Sequence, residues 1–286
     1  MGDRQKTKIL YETHSHTTLC KHAEGKISEY ASHAEARGLK GLTVTCHCPL
    51  PDGMSPHVRM AEDQYTHYHE MIHEAREQWR GRVDILAGLE SDYFPGLNAY
   101  LEKLHARAPL NYVLGSVHPQ IIYYRARFSS GTWENTVANY FDQLAETAES
   151  GLFDCVSHPD LIKNESPHQW NIQKAMPFIK NALDRIAKTG VAMELNTSGI
   201  NKAIQQMNPA PEILDEMNTR GIPVVIGADA HVPTRVADLY EAALNLLEDC
   251  GYKEVSFFIE RKRQTVSIEQ ARLSLIPTKE VVAFNN

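Results

Sequence analysis

Fourteen histidines are present in this 286-residue chain, and their spacing says more than their number. His14 and His16 are separated by one residue, and Asp229 and His231 repeat that spacing with a carboxylate in place of one imidazole. Side chains alternate along an extended chain, so both members of such a pair leave on the same side. Imidazole and carboxylate together suit zinc, manganese and iron. His22, His47, Glu90, His118 and His158 offer further donors of the same kind. Nine donors are too many for one ion and suit two to three divalent metal ions, with a carboxylate such as Glu90 able to bridge two of them. Clustered ions of this kind bring the pKa of bound water toward about 7 and so make a hydrolytic nucleophile at neutral pH.

Such donors must be brought together by the fold. Short apolar runs predict strands over 8–13, 41–45, 84–89, 112–117, 153–157, 191–196, 223–228 and 254–259. Apolar residues at three- and four-residue spacing predict helices over 28–37, 60–79, 98–106, 133–150, 173–188, 211–219 and 236–249. Glycines at 38, 151, 190, 221 and 251 follow five of these helices, where a left-handed cap favours glycine. Repeated strand–helix alternation implies a parallel sheet, either closed as a TIM-like (β/α) barrel or open and doubly wound. No glycine-rich phosphate loop follows any strand, which argues against a dinucleotide fold or a P-loop. Eight of the nine donors fall at the carboxyl ends of six strands, with His22 in the loop after the first. In a parallel barrel those ends form one face, where active sites lie.

Composition sets bounds. The chain carries 29 Lys and Arg against 36 Asp and Glu, a net charge of −7, so nucleic acid is not an expected partner. No apolar run approaches the ~18 residues of a membrane span, and the first ten residues contain no signal-peptide core, so a cytoplasmic location is expected. The chain is read as one domain over 1–286, because α/β barrels run long. Five cysteines, an odd count in a large chain, fit a reducing compartment better than a disulfide framework. Cys46-His47-Cys48 and Cys20-Lys21-His22 lack the spacing of zinc-binding cysteine pairs, so a thiolate site is not expected. His33, His67, His69, His73 and His105 lie in helical patterns and His57 in a loop, so they are assigned to surface or packing; His168, also in a loop, could line the mouth of the site. Arg261-Lys262-Arg263 reads as a solvated charge run.

The donor order resembles the polymerase-and-histidinol-phosphatase (PHP) superfamily. The matching positions are His14, His16, His22, His47, Glu90, His118, His158, Asp229 and His231. The local text HSHTTLCKHAEG, HCPLP, GLESDYF, GSVH, SHPDLIK, ELNTSG and GADAH is similar to the histidinol-phosphatase branch. The resemblance implies a distorted (β/α)7 TIM-like barrel with the metal site at the carboxyl ends of the strands. It implies one ion on His14, His16, Glu90 and Asp229, a second on Glu90, His118 and His158, and a third on His22, His47 and His231. The ions would be Zn, Fe or Mn. Glu12 replaces the Asp that often precedes the first His pair, Cys46 and Cys48 flank His47 where many members have an acid and Ala, and residues 121–131 match no family text.

The implied reaction is hydrolysis of a small phosphate monoester, L-histidinol phosphate, to L-histidinol and phosphate in histidine biosynthesis. Glu90, Asp229 and His231 are the catalytic candidates, with Asp229 or a cluster histidine passing a proton to the departing alkoxide. Lys163 is the first choice as phosphate donor. Arg235 and Arg125 are second choices, for which the plainer role is surface cation. Asp92, Asp160 and Glu165 are candidates to meet the ammonium and imidazole of the substrate. Other phosphoesterases and, further off, the amidohydrolases, which also place His-x-His after the first strand, are the alternatives.

Overall fold

A computed structural model describes residues 8–129 and 131–276. Seven strands, β1 (Tyr11–Ser15), β2 (Gly41–Val44), β3 (Asp84–Asp92), β4 (Tyr112–Ser116), β5 (Cys155–Val156), β6 (Ala192–Asn196) and β7 (Val224–Gly227), pair in parallel in sequence order. Just beyond β7 the chain returns to β1. His16 N donates to Ala230 O at 2.9 Å and Ala230 N donates to His14 O at 3.0 Å, forming the bridge Ser15–Ala230. The seven strands therefore close as a distorted (β/α)7 barrel rather than an open sheet. The closing contact is one bridge, whereas β3 and β4, for example, pair over five consecutive positions.

The helices lie where apolar periodicity places them: α1 (Ile27–Ala36), α2 (Tyr65–Gln78), α3 (Asn98–His105), α5 (Trp133–Glu149), α6 (Ile172–Ile186), α7 (Pro211–Thr219) and α8 (Tyr240–Asp249), with α4 (Ile122–Phe128) between α3 and α5. In α5 the buried stripe is Val137, Tyr140, Phe141, Leu144, Ala145 and Ala148. That spacing turns one face onto the sheet. Thr132 and Asn171 begin α5 and α6 by accepting from Asn135 N and Lys174 N, which satisfies helix donors that have no partner within the helix.

Two more strands close the amino-terminal end of the barrel. β8 (Glu254–Ile259) pairs parallel to β7, and β9 (Lys262–Ser267) folds back antiparallel on β8. Phe257 stacks on Tyr11 and Phe258 on Tyr112, the first residues of β1 and β4, with ring centroids 4.9 and 5.2 Å apart. The basic tract at 261–263 thus runs from a turn into a strand, with Lys262 and Arg263 exposed as expected of a solvated charge run. Glu260 and Arg261 take left-handed conformations in a two-residue hairpin. Arg261 then donates to Leu152 O at 2.8 Å and Arg263 to Gly190 O at 3.1 Å, just before β5 and β6. β9, α4 and α9 (Ile268–Ser274) were not among the predicted elements.

Candidate metal centre

The nine donors sit on one face. His14 lies within β1 and Glu90 within β3; the others follow the ends of β1, β2, β4, β5 and β7. His158 and Asp229 have φ of 27° and 51°, a conformation that non-glycine residues rarely adopt. The chain turns sharply at these two strand ends, and both side chains face the cluster.

Glu90 is the hub. Its Oε2 lies 2.8 Å from His47 Nδ1, 3.4 Å from His14 Nε2 and 3.6 Å from His16 Nε2. Its Oε1 lies 3.0 Å from His158 Nε2 and 3.4 Å from His118 Nε2. Asp229 Oδ1 forms a second focus, 3.1 Å from His16 Nε2, 3.6 Å from His14 Nε2 and 3.4 Å from His231 Nδ1. His231 Nε2 and His22 Nε2 meet at 3.0 Å.

The donor set fits metal ions. His14 Nε2, His16 Nε2, His47 Nδ1 and Glu90 Oε2 are buried without a hydrogen-bond partner. Leaving such atoms unpaired costs about 1–3 kcal/mol each unless something else satisfies them. The groups His14–His16–Asp229, His47–Glu90–His118 and His16–His47–His231 each hold their ligand atoms within 4.8 Å of one another. Nitrogen and carboxylate oxygen are the donors that zinc, iron and manganese share.

Electrostatics follow from burial and from the crowding of charge. Burial opposes the charged form of Glu90, but the fields of His47, His14 and His118 outweigh it and hold this carboxyl well below its ordinary range. Asp229 is lowered in the same way, with His14 the strongest opposing influence after burial. Burial also works against protonated His16, yet Asp229, Cys46 and Glu90 raise it to about 9. His47 is pushed down to about 4 and His231 to about 2, both chiefly by burial. At neutral pH the metal-free site therefore mixes protonated and neutral imidazoles.

Outer partners aim the rings. Glu194, on β6, accepts from His14 Nδ1 at 2.7 Å and from His158 N at 2.9 Å. Asp92 meets His118 Nδ1 at 2.6 Å and is itself held by Arg59 at 2.7 Å. Ser116 Oγ donates to Glu90 Oε1 at 2.7 Å, and Ser198 Oγ to Asp229 Oδ2 at 3.1 Å. Glu12 accepts from His14 N, Ala228 N, Ala237 N and Tyr240 Oη, so it fastens β1 to the end of β7; burial raises its carboxyl to about 7. Such outer contacts fix ring orientation and tautomer. Glu194 was missed as a functional residue, although Glu194-Leu195-Asn196 has the same one-residue spacing as the first His pair.

The expected substrate contacts fare differently. Lys163 is fully buried, and its ammonium donates to Asp160 Oδ2 at 2.9 Å, Met207 O at 2.8 Å and Gln206 Oε1 at 3.3 Å. It is a structural lysine with no donor left for phosphate. Asp160 is likewise consumed by Lys163, Asn208 and Ala210 N. Asp92 serves His118 and Arg59, not an incoming ammonium. Arg125, on α4, pairs with Glu165 at 2.7 Å, which occupies both candidates with each other. Arg235 pairs with Asp238 at 2.9 Å and lines the cavity beside the site. A cavity of about 300 Å³ is lined by Ser198, Asn201, Lys202, Asp229, His231 and Arg235, and it adjoins a cavity of about 230 Å³ over the donors, lined also by Lys202 and Gln120. Lys202, which was not foreseen, has no acidic partner among the described residues. His168 lines a separate cavity of about 520 Å³ at the starts of α5 and α6, which contains none of the nine donors.

The comparisons with known proteins agree with this geometry. A "Probable histidinol-phosphatase" of Deinococcus radiodurans is 34% identical over 257 residues, covering 87% of this chain and 96% of that one. The histidinol-phosphatase of Bacillus subtilis is 24% identical, covering 81% and 97%. The crystal structure of a histidinol phosphate phosphatase from Lactococcus lactis, complexed with Zn, L-histidinol and phosphate, superposes with a TM-score of 0.76 at 17% identity, covering 89% of this chain and 98% of that one. The family profile described as the PHP domain matches residues 12–198, which span seven of the nine donors. This chain belongs to the PHP domain family.

Proposed function

We propose that this protein is a metal-dependent phosphatase that hydrolyses L-histidinol phosphate to L-histidinol and phosphate. The observation that carries the reading is the convergence of seven imidazoles with Glu90 and Asp229 at one end of the barrel. The name of the Deinococcus relative and the ligands of the Lactococcus structure support the choice of substrate.

In this reading the donors would hold up to three ions: one on His14, His16, Glu90 and Asp229, one on Glu90, His118 and His158, and one on His22, His47 and His231. When bound, they neutralise phosphoryl charge and supply a nucleophilic water at neutral pH. The chain's own residues do the rest. Lys202, at the shared wall of the two cavities, and Arg235, on the wall of the neighbouring one, hold the outer phosphoryl oxygens. Asp229, held as a carboxylate, or His231, held neutral, takes up the proton of the nucleophilic water and passes it to the oxygen of the departing alcohol. The adjoining cavity of about 300 Å³ receives the alcohol. Among the described residues no helix is long and apolar enough to cross a membrane, and the five unpaired cysteines fit a reducing cytoplasm.

The test combines metal analysis with turnover. Protein purified without chelator is analysed for Zn, Fe and Mn, and phosphate release is followed from L-histidinol phosphate beside a panel of other monoesters. Two to three ions with a preference for histidinol phosphate are expected. Metal with activity on a different ester refutes the substrate; full activity and metal content in Glu90→Gln refutes the bridging role.

A further inference from the structure

Two cysteines stand behind the proposed cluster, and the reaction uses neither. Cys20 ends a short 3-10 turn after β1, and Cys46 follows β2. Both side chains are wholly buried, as is His16 at 1% exposure. The two sulfurs and a ring nitrogen of His16 lie within 4.8 Å of one another. His16 Nε2 is directed at Asp229, so Nδ1 is the nitrogen left for the sulfurs, and it is buried without a hydrogen-bond partner. Thr17 Oγ1 donates to Cys46 Sγ at 3.2 Å, which fixes that sulfur in place. Cys48, the other half of the Cys-His-Cys tract, takes no part: it belongs to none of the donor groups, and its thiol lies against Ser91.

We propose that Cys20, Cys46 and His16 Nδ1 form a second, closed metal site that takes a thiophilic d10 cation, monovalent copper. Thiolate donors select such ions over the harder ones that suit the nitrogen and carboxylate cluster. Two sulfurs and one nitrogen with no solvent-facing position match a low-coordinate ion and leave no room for substrate. Binding is an exchange without redox change. The copper enters as Cu⁺, two S–Cu bonds form, the two thiol protons leave to solvent, and His16 donates the Nδ1 lone pair with its proton on Nε2. The ring proton thereby moves from Nδ1 to Nε2, where it faces Asp229, and Nε2 keeps no lone pair for a cluster ion. Given the ligand assignment of His16 in the cluster, copper and the cluster ion on His16 therefore exclude one another, and by linkage each weakens the other equally. The protein would thus be inhibited by copper through residues that never touch substrate.

The experiment titrates the anaerobic, metal-loaded protein with Cu(I) against the chromophoric chelator bicinchoninate. Copper X-ray absorption reports the ligand atoms, and the Zn, Fe and Mn retained are measured on the same samples. One Cu(I) held by sulfur is expected, with release of cluster metal as copper enters. Cys20→Ser and Cys46→Ser should each weaken copper binding roughly 100-fold or more, and Cys48→Ser should not. Alanine at 20 or 46 gives a second pair of variants, with circular dichroism and cluster metal content certifying the fold. Wild-type protein that holds no Cu(I), copper with only nitrogen and oxygen neighbours, or equal retention in the Cys20 and Cys46 variants would overturn the proposal. Loss in Cys20→Ser alone would also overturn it, moving the ion to Cys20, His22 and His231. Failure of the phosphatase reading appears instead in the turnover panel and leaves these copper readouts unaffected.

Discussion

Glu194→Gln isolates the contribution of a residue that touches neither water nor substrate. The carboxylate accepts three hydrogen bonds: from His14 Nδ1 at 2.7 Å, from His158 N at 2.9 Å and from Asn196 Nδ2 at 3.0 Å. A glutamine has one accepting and one donating end. With its oxygen toward His14, the amide nitrogen faces the N–H groups of His158 and Asn196, and two bonds are lost. Turned round, it presents N–H to His14 Nδ1 and drives the ring proton to Nε2, the atom aimed at Glu90 and Asp229. Either arrangement removes charge-assisted bonds worth about 1.5–3 kcal/mol in a site with no solvent to compensate. At about 1.4 kcal/mol per decade, that is roughly a 10–100-fold loss in metal affinity, the range found for outer partners of metal-bound histidines. Chelator competition on the zinc- or manganese-loaded protein reads the affinity, kcat/KM reads the consequence, and circular dichroism confirms folding. Affinity within about twofold of wild type would refute the claim that Glu194 orients His14.

Further outcomes follow from the same contacts. Lys163→Met should lower stability by about 3–5 kcal/mol, because Asp160 is left charged and buried, yet the folded fraction should keep its kcat; a selective rise in KM would return Lys163 to the phosphate site. Lys202→Ala should raise KM for phosphate esters roughly 10-fold with little change in melting temperature, and an unchanged KM removes Lys202 from the substrate contacts. In the metal-free protein His14 is raised well above its ordinary value, where Glu194, Asp229 and Glu90 outweigh burial, and His16 is raised to about 9. Metal loading at pH 7 should therefore expel about two protons, read by calorimetry in buffers of different ionisation heat, and apparent affinity should climb with pH to about 9. Because both folded values are raised, their contribution to metal-free stability is full below about 6.5 and lost as pH rises through each folded value, about 9 for His16; a metal-free protein that is more stable at pH 9 than at pH 6 contradicts this sign. A Cβ added at Gly227 would strike Glu194 Oε1 and lie 2.7 Å from His14 Cβ, so Gly227→Ala should reduce both metal content and melting temperature.

The donors were legible because ligand chemistry leaves its mark in residue type. His-x-His and Asp-x-His announce themselves, and strand–helix alternation places them on one face. The helical periods were equally clear: α7 falls at the predicted residues and α5 within one residue of its predicted end. The substrate contacts were not legible, because Lys163 and Lys202 are the same residue type after neighbouring strands. Only packing shows that one is bonded to Asp160 and Met207 while the other faces the donors. Burial separates Asp92 and Asp160 from substrate for the same reason. The charges at 261–263 pointed to solvent, where Lys262 and Arg263 do lie, but not to the hairpin that brings Arg261 and Arg263 to backbone carbonyls. The proximity of Cys20 to Cys46 depends on the register of β1 against β2, which residue spacing alone does not carry.

The bridge between Ser15 and Ala230 has a consequence for how the protein comes to life. The first donor pair belongs to the opening strand, and the partners that face it, Asp229 and His231, are made only after four-fifths of the chain. Until that stretch has emerged and docked, His14 and His16 can hold an ion only loosely. Bringing ends so distant together is slow compared with forming any of the local βα units. Ion capture is then a late event that reinforces an edge joined by one backbone bridge and by the bonds of Glu12, so newly made protein in metal-starved cells should stay more vulnerable to proteolysis at that edge, while protein loaded before starvation is spared.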